Sequence, residues 1–382
     1  MKKVWPFAFQ FLYFAGMASV MPFIILYFQS LGFSGAQIGL LNGATPITLL
    51  SAPLWTGLAD TTRRHRLLMS LAILGVVTTL ALFPSFHSFA SIFLIAILLN
   101  TFFAPVSSFA DNATMVMLAG EKELYGRLRL GGTIGYGLAA SIAGALVQRY
   151  GLKFAFWAAA SIYLMGLVVS QKLTHGESKT GEPAGKRIGA LMANPRWRLF
   201  MAAAFAAGLA LAAHNTYFFL YLKDLGANES TMGLALTIGT LSEIPVFFFG
   251  NRLLGRFKPY GLFVVAMVFT SLRLLLFAAC ANANLVLVIQ FLNGLTFPAM
   301  WVAGVAYANE NAPPGMSATA QGLFNAMVAG FGLAVGGLVG GLLLDSVGTH
   351  GIYLLFGIAV LVIAAIVALL ERRLAAPDSA VP

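Results

Sequence analysis

The sequence predicts an all-α membrane protein of twelve transmembrane helices in two pseudo-symmetric six-helix bundles, and three observations predict it. Of 382 residues, 59% are hydrophobic and 9% charged, against about 25% charged in a soluble domain. Apolar runs long enough to cross roughly 30 Å of hydrocarbon recur along the whole chain, so the mean hydropathy of +0.86 does not come from one segment. The third observation is an internal repeat. Aligned at an offset of 194, ILYFQSLGFSGAQIGL from Ile25 and FLYLKDLGANESTMGL from Phe219 share Leu26/Leu220, Tyr27/Tyr221, Leu31/Leu225, Gly32/Gly226, Gly39/Gly233 and Leu40/Leu234. At an offset of 195, GYGLA from Gly135 meets GFGLA from Gly330.

The first six runs lie near residues 6–29, 37–59, 67–84, 89–118, 129–148 and 154–172. Ser34 and Gln37 have the spacing of a capping box ahead of the second. The second six lie near 197–222, 230–251, 260–280, 284–309, 317–343 and 350–370. Between them runs the one long polar linker, HGESKTGEPAGKRIGALMANPR, residues 174–195. Residues 1–173 and 196–382 are thus expected to be the two bundles. Because each has an even number of helices, they relate by an axis along the membrane normal, an arrangement that places a binding site near mid-depth. Glycines four apart, Gly131 with Gly135 and Gly332 with Gly336 and Gly340, predict close helix packing in the fifth and eleventh spans.

Lysine and arginine set the orientation. Nineteen of the twenty-three fall on the side that holds Lys2, the Arg63–Arg66 cluster and the linker; only Arg149, Lys153 and Lys223 fall on the other, and Arg273 lies within a helix. Both termini and the linker are expected in the cytoplasm, and the N-terminal apolar stretch reads as a retained first helix. The net charge of +10 suits anionic cytoplasmic lipid; no basic face gathers on a soluble element, so nucleic acid is not an expected partner. A lone Cys280 and five scattered histidines give no disulfide, thiolate or zinc pattern, and no cofactor is expected. No serine motif, metal cluster or phosphate loop suggests an enzyme.

GLADTTRRHR, Gly57 to Arg66, resembles the cytoplasmic loop signature of the major facilitator superfamily, with Gly57, Asp60, Arg63 and Arg64 at the matching positions. The resemblance implies a charge relay that latches the cytoplasmic side. The second copy, GNRLLGRFKP, keeps Gly250 and Arg256 but has Leu253 where the acid would stand. Residues 102–136, Pro22–Phe23, the LSE at Glu243, the LR at Arg273 and SATAQGL from Ser317 are similar to the phenylpropionate permease branch, related to lactose permease and nucleoside:proton symporters. By that resemblance Asp111 takes the place of a substrate-binding carboxylate, Arg129 of the fifth-helix arginine and Tyr136 of the aromatic that stacks on the solute. The tenth-helix histidine and glutamate of lactose permease correspond to Asn293 and Thr296, which do not titrate near neutral pH.

Physical chemistry reaches several of the same residues. An ionised side chain at helix centre costs roughly 2.5–3.5 kcal/mol and marks function, which singles out Asp111, Glu243 and Arg273. A carboxylate partly removed from water holds a proton more readily, so Glu243 is the expected proton-coupling acid, with Arg273 as the group that resets it and His214 as a second candidate. Asn215, Tyr217, Asn293 and Trp301 complete the expected solute contacts with Asp111, Arg129 and Tyr136; Phe103 or Trp301 could stack on a ring. Structural ion pairs for Asp111 with Arg129 and for Glu243 with Arg273, and a core histidine at 214, are the competing readings. The expected function is alternating-access symport of a small organic solute (aromatic acid, nucleoside or sugar) with protons, by a monomer in the cytoplasmic membrane. An exporter, antiporter or uniporter of the same fold is the alternative, and a non-transporting sensor a more distant one.

Overall fold

The computed structural model describes residues 4–48, 51–118, 125–174, 189, 191–313 and 316–375, and almost all of these are helical. The helices are α1 (Val4–Ser30), α2 (Gly35–Thr48), α3 (Ser51–Thr62), α4 (His65–Leu82), α5 (Phe89–Met117), α6 (Tyr125–Tyr150), α7 (Lys153–Ser170), α8 (Pro195–Asp224), α9 (Glu229–Phe248), α10 (Gly250–Phe257), α11 (Pro259–Ala279), α12 (Ala283–Ile289), α13 (Asn293–Glu310), α14 (Ser317–Asn325) and α15 (Leu333–Ala375). Ten segments of the described residues are long and apolar enough to cross a bilayer. The last of these, Thr319–Glu371, runs through Gly348 at φ 67°, between the eleventh and twelfth runs of the sequence. Large apolar side chains such as Leu54, Val168, Phe248 and Leu342 are more than two-thirds exposed, which suits a hydrocarbon solvent and not water.

Local chemistry starts several of these helices. The capping box forms as its spacing predicts: Gln37 N donates to Ser34 Oγ at 3.3 Å and Ser34 N to Gln37 Oε1 at 3.0 Å. Ser88 caps α5, Asn228 caps α9 and Asn282 caps α12, each by accepting a backbone N–H.

The chain divides into two compact units, Met1–Thr180 with Leu222–Thr240, and Gly181–Tyr221 with Leu241–Pro382. In the first, α6 lies so close to α1 that a methyl on Gly131 would sit 2.7 Å from the Phe7 carbonyl oxygen, and one on Gly135 would strike that of Phe11. On another stripe of α6, Gly137, Ser141 and Gly144 receive α9: Ser141 Oγ lies 2.7 Å from Thr237 Oγ1, and Thr237 Oγ1 donates to the Gly137 carbonyl at 2.6 Å. In the second unit the same small-residue packing recurs. Gly332 and Gly336 admit Gly208 and Ala212 of α8, and Gly340 admits the ring of Tyr217. A π-helical stretch, Ala326–Gly332, forms the start of this crossing. The predicted close packing at these glycines is therefore present in both units.

The repeat is legible in the backbone as well as in the letters. Left-handed φ values occur in pairs, Gly32 (79°) with Gly226 (76°), Arg63 (56°) with Lys258 (56°), and Gly151 (87°) with Gly348 (67°). Buried aromatics follow suit. Tyr27 meets Phe156 at 4.9 Å and 68°, and Tyr221 meets Tyr353 at 4.9 Å and 63°. Phe83 lies against the first pair and Phe277 against the second.

Candidate functional site

A buried polar cluster begins in the sequence QFLNGLT. Residues Gln290–Leu292 form a 3₁₀ turn that leads into α13. Side chains three apart lie on one face, eclipsed across the 3₁₀ turn and as neighbours along the α-helix that follows, so Gln290, Asn293 and Thr296 share a face. That face meets Arg273 of α11, which is 6% exposed. The guanidinium donates to Asn293 Oδ1 at 2.7 Å, to Thr296 Oγ1 at 3.4 Å and to Gln290 Oε1. Asn293 in turn donates from Nδ2 to Glu243 Oε1 of α9 at 2.7 Å. Ser242, the neighbour of that acid, fastens the helices together: its Oγ accepts from Gly294 N at 3.0 Å. Gly294 has no side chain to hold the two backbones apart.

The arrangement joins an acid to a cation through a neutral amide. Among the described residues no ion pair links Glu243 to Arg273 directly, so the simple structural ion pair weighed from the sequence does not form. The Arg273 guanidinium lies 5.2 Å above the Phe277 ring, and its Nε has no hydrogen-bond partner. The His214 ring of α8 lies 4.8 Å from that of Phe218, tilted at 37°, and its Nδ1 is buried without a partner. Chemically, Glu243 can gain or lose a proton while three neutral side-chain oxygens continue to hold the guanidinium.

In the other unit, Asp111 of α5 is half-buried and its Oδ1 accepts from Gln10 Nε2 of α1 at 3.2 Å. Arg129 falls within α6, but its side chain lies outside the described residues. Tyr136 of α6 is half-buried. Phe103 stacks on Tyr13 at 5.1 Å, with the Tyr163 ring edge-on at 6.0 Å. Of the remaining expected solute contacts, Asn215 is exposed, and half-buried Trp301 sits against Phe297 and Phe324. Tyr217 is fully buried and donates its hydroxyl to the Gly337 carbonyl. That bond and the Gly340 contact give it a packing role between α8 and α15.

At the loop signature, Asp60 Oδ1 lies 2.7 Å from His65 Nε2. Arg63 takes the left-handed backbone that turns the chain from α3 to α4, and Arg64 is exposed at the start of α4. A methyl on Gly57 would meet nothing within 4 Å.

Three participants escaped sequence reasoning: Gln290, Gln10 and His65. For Gln290 the signal was present, as three polar residues at a spacing of three inside an apolar run. His65 reads in the sequence only as one of five scattered histidines. Nothing in the sequence marks Gln10, whose partner is 101 residues away.

Comparison with known proteins agrees with this architecture. A model of the MFS_1 like family matches residues 6–355. The chain is 28% identical to the maltose permease of Geobacillus stearothermophilus over 97% of its own length and 95% of that protein's. It is 24% identical to the probable 3-phenylpropionic acid transporter of Escherichia coli (strain K12), over 90% of this chain and 91% of that one. The crystal structure of the nucleoside transporter NupG superposes with a TM-score of 0.84 at 20% identity, covering 96% of this chain and 98% of that one. These relatives are transporters and not enzymes, and the helical bundle with its buried polar cluster suits passage of a small solute through a membrane. The chain therefore belongs to the MFS_1 like family, as a multi-pass transporter with the major facilitator fold.

Proposed function

We propose that the protein is a proton-coupled symporter that moves a small organic solute across the cytoplasmic membrane by alternating access, with Glu243 as the proton carrier. The observation that carries this reading is the buried chain from Glu243 through Asn293 to Arg273. Burying charge is costly in a membrane span, and a permanent structural pair would be expected to bring acid and base into direct contact. An acid set one amide away from its cation is suited to cycle between charged and neutral forms. Proton binding there and solute binding together then bias a two-state equilibrium.

In the same proposal Asp111, with Arg129 and Tyr136, contributes the solute contacts. Gln10 orients the Asp111 carboxylate. Tyr13 and Phe103 offer apolar faces to a ring. The solute is a small polar molecule of the kinds named for the relatives: a disaccharide, an aromatic acid or a nucleoside. Both termini face the cytoplasm, the Gly57–Arg64 loop acts as the cytoplasmic latch, the bundles are residues 1–173 and 196–382, and the working unit is a monomer. Uptake of radiolabelled maltose, 3-phenylpropionate and uridine into energised vesicles tests the reading. Concentrative uptake of one of them, abolished by a protonophore and by Glu243→Gln, is the expected result. Glu243→Gln vesicles that still concentrate the solute in a protonophore-sensitive way would refute the assignment of Glu243.

A uniporter or exporter is the second reading, favoured by neutral Asn293 and Thr296 at positions where lactose permease has titratable groups. Equilibration without accumulation in the same vesicles would select it.

A further inference from the structure

Resting on the reading of Glu243 as the proton carrier, we infer that Asn293 is a polarity-locked bridge that positions that carboxylate and transmits the field of Arg273 to it. The argument rests on which groups can donate. A guanidinium has only donors and a carboxylate only acceptors. An amide between them satisfies both in one orientation alone, oxygen to Arg273 and nitrogen to Glu243. That is the orientation found, at 2.7 Å on each side. Flipping the amide would set donor against donor and acceptor against acceptor.

The lock has its own supports. Gln290, 1% exposed, turns its oxygen to the same guanidinium, and Thr296 accepts from it while donating to the Asn293 carbonyl at 2.8 Å. Arg273 is thereby held by three neutral acceptors and cannot swing across to pair with the acid without abandoning them. The titratable and charged groups around the cluster are Arg273 of α11, His214 of α8 and Tyr353 of α15. Among the described residues, α13 brings the neutral Asn293 and Thr296 to the guanidinium. Asn293 is accordingly a positioning residue: it fixes a donor on one oxygen of Glu243 and leaves the other oxygen to take the proton.

Infrared titration of the purified full-length protein tests this without any solute. The carboxyl band of Glu243 is read as the difference between each protein and its Glu243→Gln counterpart. A donor on a carboxylate favours the charged form. Asn293→Leu removes it, and the isosteric Asn293→Asp replaces it with a like charge. Both are expected to move the midpoint of that band to higher pH by about one to two units, the scale of a hydrogen bond to a charged group. Asn293→Asp decides the matter if Asn293→Leu does not fold. A Glu243 band whose midpoint is the same in the Asn293 variants as in the wild type would overturn the bridge while leaving the proton carrier standing. Absence of any band that depends on Glu243 across the titration would instead remove the carrier, and the bridge with it.

Discussion

Single residues in this protein are constrained by what cannot be left unpaired. Gln290 is the clearest case, since replacing it by leucine strips an acceptor from a buried guanidinium. Loss of about 1–3 kcal/mol is expected. Cys280, the only cysteine and buried, provides the reporter: a thiol-reactive dye reads the temperature at which it becomes accessible. Gln290→Leu should lower that temperature, and an unchanged value would show that water or another group replaces the lost oxygen. Across the loop between α3 and α4, Asp60 and His65 are 2.7 Å apart. If the loop latches, His65→Ala and Asp60→Asn should slow initial uptake to a similar degree and should not be additive in the double variant, as expected for two halves of one contact. Fully additive losses would show that the pair does not act as a unit.

Helices here pack on glycines, and each glycine can be judged by what a methyl would meet. Gly135→Ala forces a carbon into the Phe11 backbone, where no side-chain rotation gives relief. Overpacking of this kind costs about 1–3 kcal/mol. Gly322→Ala in α14 meets nothing within 4 Å, and helix propensity favours it by about 0.5–1 kcal/mol. The two variants should therefore shift the Cys280 unfolding temperature in opposite directions. Equal shifts would mean that the α1–α6 crossing is looser than its geometry indicates. The polar cluster also belongs to this scale: Gln290, Asn293 and Thr296 share one face across the junction of the 3₁₀ turn at Gln290–Leu292 with α13, within what the sequence presents as one continuous tenth span.

For the whole molecule, the bias of basic residues predicts which loops face which compartment. His87 and Arg64 are both exposed at helix ends. In a Cys280→Ser background, a membrane-impermeant maleimide added to intact cells should label His87→Cys and leave Arg64→Cys unlabelled until the membrane is opened. The reverse pattern would invert the orientation and assign Asp60 and His65 to the outer face.

Much of this architecture was legible without coordinates. The membrane class followed from composition, because no aqueous core could absorb so many apolar side chains, and the repeat at Tyr27/Tyr221 and Gly32/Gly226 announced two related halves. The capping box at Ser34 and Gln37 and the close glycine crossings could be read too, since they depend on spacing within one segment. Glu243 and Arg273 stood out because ionised groups are conspicuous in apolar runs. Their relationship did not. Only the tertiary structure showed that Asn293 stands between them, that Gln290 joins Arg273, and that Gln10 reaches Asp111. The physical reason is one of range. Periodicity and hydropathy record whether a segment can cross a bilayer. The partner of a buried polar atom depends on how helices far apart in sequence rotate and approach, and on local departures from α geometry that no hydropathy pattern encodes.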